Sequence, residues 1–264
     1  MCSLLADPDV PSSMLLPHCV GYVQQSQSCF IFAYELPQFA SPHEKAISLY
    51  SILRGGDRSA HNMKGTLRFP SLDERYQLAA VLADGLLSLL SMNWVHKGLN
   101  SNNIVMFYEK NSPKVVTYSK PQMMGFGIAR PEEPGETTID VRSLDSPFSL
   151  WQHPELRQGH HRRYERRHDI YSFGMILFEI GMWRDLHLLE REGDSPTEFH
   201  RRVVNSCRSK LGHYMGVSYQ NVVLNCIDRP ELWSTAETES NNSASLIETF
   251  SWDIVRELHR CAVN

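Results

Sequence analysis

Lysine, arginine and glutamate are absent from the first 34 residues of this 264-residue chain, and only one glycine, Gly21, falls among them. Such a stretch offers no cation to a phosphate and no glycine-rich turn to wrap one. The six cysteines form no CxxC pair and are irregularly spaced, which fits reduced thiols and an expected cytoplasmic location. No basic segment followed by an apolar run opens the chain, so no signal peptide is expected. No window approaches the ~20 apolar residues of a membrane helix, and a net charge of −4 gives no global pull toward nucleic acid. There is no internal repeat.

What the chain does contain is a 42% share of hydrophobic residues, enough for one large domain or two small ones. The stretch 169–183, DIYSFGMILFEIGMW, is apolar on nearly every side. A helix without a polar stripe must be surrounded by protein or lipid, and this one is too short to span a bilayer. A strand of that length is rare, and Gly174 would weaken it. The stretch therefore predicts a buried central helix, with Asp169 placed as its N-cap.

In chain order, residues 1–17 carry three prolines and read as an irregular lead-in. Residues 19–23 and 29–36 are apolar, β-rich runs that predict a hairpin. Ser41-Pro42-His43-Glu44 is a capping box with proline at the first helical position, predicting a short helix to Leu53. Residues 55–70 read as a polar loop. A second box, Ser71-Leu72-Asp73-Glu74, opens an amphipathic helix running to about Met92. Short strands are expected at 104–107, 115–117 and 122–124, and residues 128–150 read mostly as loop. After the central helix, Ser195-Pro196-Thr197-Glu198 opens another capped helix. Residues 217–227 and 246–261 read as helices on either side of a flexible insertion at about 228–245. The fold class is α+β, mainly α.

Residues 96–105, His96-Lys97-Gly98-Leu99-Asn100-Ser101-Asn102-Asn103-Ile104-Val105, resemble the protein-kinase catalytic loop, HRDLxxxxN followed by two apolar residues. Gly125-Phe126-Gly127 stands where DFG belongs, and His153-Pro154-Glu155 where APE closes the activation loop. His168-Asp169-Ile170-Tyr171-Ser172-Phe173-Gly174 is similar to the DxxSFG start of the central kinase helix. The resemblance covers about residues 18–260. It implies a lead-in and small-lobe remnant (last two strands and hinge) over 1–37, and a kinase-like large lobe over 38–264. Within the superfamily, the chain is similar to the kinase-like domains of filamentous fungi found behind heterokaryon-incompatibility or prion-inhibition modules.

The departures shape the expected function. The family's catalytic base is an aspartate where this chain has Gly98, and its magnesium-holding DFG aspartate is replaced by Gly125. Asn103, the second magnesium ligand of the family, is retained, but one neutral amide does not hold Mg²⁺ without a carboxylate. With no strand lysine and no helix glutamate ahead of it, the chain reads as a pseudokinase. Neither ATP nor Mg²⁺ nor any other cofactor or metal is expected. The alternatives are a residual nucleotide binder or unconventional kinase, and a non-functional fragment of a longer kinase-like protein.

Several tempting residues have plainer readings. His96 is expected to pack beneath its loop, and the basic run 160–168 reads as a solvated loop or an anion-binding one, its adjacent histidines poorly spaced for zinc. Thr137 and Thr138 lie among acids that would repel a phosphate. Cys19, Cys29, Cys207 and Cys226 fall in apolar runs and read as core. By resemblance, Asp169 should accept hydrogen bonds from the backbone of the 96–98 turn, and Glu155 should pair with Arg229. A hairpin over residues 19–36 leaves a bare edge and uncovered apolar faces, which predicts docking of a protein partner or an upstream domain.

Overall fold

The computed structural model describes residues 15–26, 29–55, 69–132, 148–157, 163–229 and 242–263. In chain order its elements are β1 (Cys19–Ser26), β2 (Cys29–Tyr34), β3 (Ile47–Ser48), α1 (Leu49–Gly55), α2 (Leu72–Ser91), β4 (Trp94–Val95), β5 (Ile104–Glu109), β6 (Ser112–Met123) and β7 (Arg130–Pro131). The helices α3 (Pro154–Arg157), α4 (Arg166–Met182), α5 (Pro196–Ser206), α6 (Gly212–Ile227), α7 (Asn242–Phe250) and α8 (Arg256–Val263) follow. The fold is α+β and mainly α. Its sheets are small: the antiparallel hairpin β1-β2, a three-stranded sheet in the order β3-β5-β6, and the pair β4-β7. Among the described residues no third strand joins β1 or β2.

Helix α4 is the axis. Every residue from His168 to Gly181 is buried, as an all-round apolar helix requires. Gly174 lets α6 lie directly against it, since a Cβ there would meet Cys226 Cβ at 2.4 Å and Ile227 Cγ2 at 2.6 Å. Helix α2, with Leu78, Leu82, Leu86 and Leu89 buried at helical spacing, covers another side. Two of the capping boxes form in full: Ser71 with Glu74 opens α2, and Ser195 with Glu198 opens α5 with Pro196 at the first position.

The structure corrects four sequence expectations. The box at Ser41 opens no helix, because residues 39–41 are drawn alongside the β5-β6 sheet. Ser41 N–H donates to Tyr108 O at 2.8 Å, Lys110 N–H donates to Phe39 O at 2.9 Å, and Ala40 bridges Glu109. The helix starts instead at Leu49, where Ser48 Oγ accepts from Ser51 N–H. Asp169 is not the N-cap of the central helix. That helix begins a turn earlier, capped by Glu165, whose backbone N–H donates to His168 Nδ1 at 2.8 Å. The strand candidates at 115–117 and 122–124 fall on one strand, β6, which β5 pairs at Ser112, Val116 and Thr117 and again at Gln122 and Met123, on either side of a break in register. The last helical segment starts at Asn242 rather than 246 and continues through a π-turn, Ser251–Val255, into α8. The polar loop lies outside the described residues over 56–68, Thr137 and Thr138 lie outside them too, and so does most of the insertion, 230–241.

Candidate functional site

The turn between β4 and β5 carries the catalytic-loop resemblance, and buried groups tie it to α4. Lys97 has a left-handed backbone, φ 63°, a conformation that costs a non-glycine residue about 1–2 kcal/mol. Asp169 holds it there: its carboxylate accepts from His96 N–H at 2.6 Å, Lys97 N–H at 3.1 Å and the Tyr164 hydroxyl at 2.7 Å. Full burial raises this carboxyl to about pH 6, against the pull of those three donors, so it is ionised at neutral pH. His96 is itself fully buried. Its Nδ1 accepts from Gly98 N–H at 3.2 Å, so its Nε2–H donates to Met124 O at 2.9 Å. Phe126 packs on its ring, with centroids 4.6 Å apart.

Asparagines complete the turn. Asn100 caps the 3-10 turn Ser101–Asn103, its Oδ1 accepting from Asn102 and Asn103 N–H. The Nδ2 groups of Asn100 and Asn103 both donate to the Gly98 carbonyl, at 2.8 and 2.7 Å. Gly125 has φ 86°, and a Cβ there would fall 2.3 Å from Asn103 Nδ2 and 2.5 Å from its Cγ. Gly98, Asn103 and Gly125 are thus brought together, with the Asn103 amide filling the space between the two glycines. Gly127 is exposed, with nothing within 4 Å of where its Cβ would stand. Residues 96–103 contain no acid, so the turn presents hydrogen-bonded amides and backbone with no carboxylate to serve as base or hard-cation ligand.

His153, Pro154 and Glu155 stand at the start of α3 against the first turn of α4. Glu155 Oε1 meets His168 Nε2 at 2.5 Å, Arg167 Nη2 at 3.3 Å and His153 Nδ1 at 3.7 Å. The His168 hydrogen bond, with the nearby charges, holds the Glu155 carboxyl down at about pH 2 despite partial burial. Arg229, expected as its partner, instead pairs with Asp253 at 2.6 Å. The reason is placement: Arg229 follows the C-terminal cap of α6 and faces the π-turn before α8, while His168 and Arg167 of α4 already occupy the Glu155 carboxylate.

Sequence reading missed three residues that hold this region. Glu132 grips Arg166, accepting from its backbone N–H at 3.2 Å and its Nε at 2.6 Å, while Arg166 Nη1 reaches Leu90 O. Glu179, fully buried, accepts from Trp151 Nε1–H at 2.8 Å and Leu186 N–H at 3.1 Å, and burial pushes its carboxyl up to about pH 8. Trp151 is the third. A charged residue inside the all-apolar stretch was the available signal for Glu179; nothing local marked Glu132.

Among the described residues, no helix is long and apolar enough to cross a membrane. Over part of its length the chain is similar to protein kinases. It is 24% identical over 158 residues (59% of this chain) to cysteine-rich receptor-like protein kinase 36 of Arabidopsis thaliana. It is 29% identical over 128 residues (45% of this chain) to dual specificity protein kinase shkA of Dictyostelium discoideum. It is 25% identical over 156 residues (59% of this chain) to RGS domain-containing serine/threonine-protein kinase A of the same organism. The chain spans 22%, 22% and 12% of these relatives' own lengths. The family model described as a domain of unknown function, DUF7580, matches residues 22–262. With nearly its whole length matched, this kinase-related chain belongs to the DUF7580 family.

Proposed function

We propose that this chain is a catalytically inactive kinase-like domain that acts through protein contacts. The observation that carries the reading is the packing of Asn103 against Gly125 and Gly98. By resemblance these are the positions of the magnesium ligands and the base, and here an amide side chain fills the space a Gly125 side chain would need. A general base alone contributes ~10²–10⁴ in rate, and here both aspartates are replaced. The protein-contact half of the reading draws on the hairpin, where Val20, Tyr22, Val23 and Ile31 are each more than half exposed on strands with no further partner among the described residues. A signalling role and a fungal incompatibility setting rest on likeness of sequence alone.

The test is thermal unfolding of the purified protein with and without Mg·ATP, alongside a phosphotransfer assay. No transfer and no nucleotide-dependent rise in melting temperature are expected. A rise that grows with ligand excess, as mass action requires of real binding, would overturn the inactive reading. The contact surface is tested by hydrogen exchange: amides of 19–26 and 29–34 should exchange far faster than those of α4. Equal protection in a protein that stays monomeric at high concentration would remove the docking face.

A further inference from the structure

We propose that His153, Glu155 and His168 form a binding site for a zinc-class divalent ion, which clips the start of α3 to the first turn of α4. Among the described residues this is the one cluster of three metal-ligating side chains, with His153 Nδ1, Glu155 Oε1 and His168 Nε2 all within 4.8 Å of one another. Two imidazoles and a carboxylate are a recurrent zinc ligand set, leaving a fourth position for water. Ligand atoms around a tetrahedral zinc stand about 3.3 Å apart. The present separations, 2.5 Å from Glu155 Oε1 to His168 Nε2 and 3.7 Å to His153 Nδ1, bracket that value. The ligands come from two elements, and His168 is locked by burial while His153 and Glu155 keep 16% of their side-chain surface exposed, giving an ion a way in.

Among the described residues, three groups compete with the ion. His168 Nδ1 now accepts from Glu165 N–H at 2.8 Å, so Nε2 carries the proton and donates it to Glu155. Coordination through Nε2 moves that proton to Nδ1 and leaves Glu165 N–H without this acceptor. His153 Nδ1 gives up a long 3.3 Å bond from Glu155 N–H. Arg167 Nη2, 3.3 Å from Glu155 Oε1, repels a dication, although its Nε is also anchored on Glu165 at 2.6 Å. Two backbone hydrogen bonds and the His168–Glu155 hydrogen bond are exchanged for three coordinate bonds, which outweigh them, with an affinity reduced by Arg167. This inference does not depend on the inactive-domain reading, since its outcome leaves Gly98 and Gly125 untouched.

The experiment titrates chelator-stripped full-length protein with Co²⁺, read by visible absorption, followed by displacement with Zn²⁺. One equivalent of Co²⁺ with the intense bands of four-coordination, displaced by Zn²⁺, is expected. His153→Gln should weaken uptake by at least about tenfold, since losing even a supporting residue costs 10–100-fold. A His160→Gln/His161→Gln double variant should bind unchanged. Absence of saturable bands, binding that survives H153Q, or binding lost in the H160Q/H161Q variant each overturns the site. Should H153Q fail to fold, mass-spectrometric mapping of diethylpyrocarbonate labelling on the unmutated protein decides: Zn²⁺ must protect His153, and unchanged labelling refutes the proposal.

Discussion

The His96 backbone N–H and the Asp169 carboxylate, 73 positions apart in sequence, meet in a 2.6 Å hydrogen bond in the buried interior. Lys97 N–H and the Tyr164 hydroxyl complete the acceptor's shell. The bond makes the left-handed turn at Lys97 a property of α4 rather than of the loop. The turn holds no carboxylate of its own, and by resemblance the kinase catalytic aspartate's position is Gly98.

Replacing Asp169 with alanine strands two backbone donors and a hydroxyl, each worth ~1–3 kcal/mol when left unpaired and buried. Urea unfolding of D169A should show a loss of at least about 3 kcal/mol, and of Y164F about 1 kcal/mol. Lys97→Gly should be neutral or stabilising, because glycine adopts φ 63° without the side-chain penalty. A strongly destabilised K97G would mean the Lys97 side chain, not its backbone, matters.

Glu179 and Asp169 both have carboxyls raised by burial, to about 8 and about 6, from 4.5 and 3.8. Between the ordinary and raised values the folded state holds a proton that the unfolded chain has released, so stability must fall as pH rises through those windows. Below about pH 6.5 the burial-lowered His153 and His200 act in the opposite direction, so the melting temperature should decline from about pH 6.5 to pH 8. Glu179→Gln, which cannot ionise, should flatten the part above pH 6; the Glu179 contribution over its whole window is about 5 kcal/mol. An E179Q profile parallel to the unmutated one would remove Glu179 as the cause.

Any side chain at Gly125 must contend with φ 86° and with Asn103 at 2.3 Å. Gly125→Ala should cost roughly 2 kcal/mol or more from the backbone and the clash together. Restoring aspartates at 98 and 125 together should destabilise the protein without producing phosphotransfer. Measurable transfer in G98D/G125D would show that the cleft is intact and only its acids are missing.

Two ion pairs should behave oppositely. Arg166 and Glu132 are nearly buried, with 7% and 13% of their side-chain surface exposed, whereas Arg229 and Asp253 keep 29% and 40%. Removing the carboxylate partner of Arg166 by Glu132→Ala should cost roughly 3 kcal/mol, and Asp253→Ala less than about 1 kcal/mol. Equal losses in denaturant unfolding would contradict this ranking.

Much of the architecture was legible because it is written in short-range chemistry. The boxes at Ser71 and Ser195, the apolar period of α2 and the all-apolar run of α4 act over one or two helical turns, where spacing alone dictates the face and the cap. The same logic failed at Ser41, where an equally good box lost to strand pairing with β5-β6, and at Asp169, whose carboxylate serves a distant turn rather than its own helix end. Sequence by itself determined that this chain is α+β and mainly α, with a buried central helix and glycines at 98 and 125. Only the tertiary structure decided which charges meet: Glu155 with His168 and Arg167 rather than Arg229, Glu132 with Arg166, and Asn103 against Gly125. Ion pairs and close packing depend on distances across tens of residues of chain, which no local period encodes, and a buried charge takes whichever partner the packed helices bring within reach.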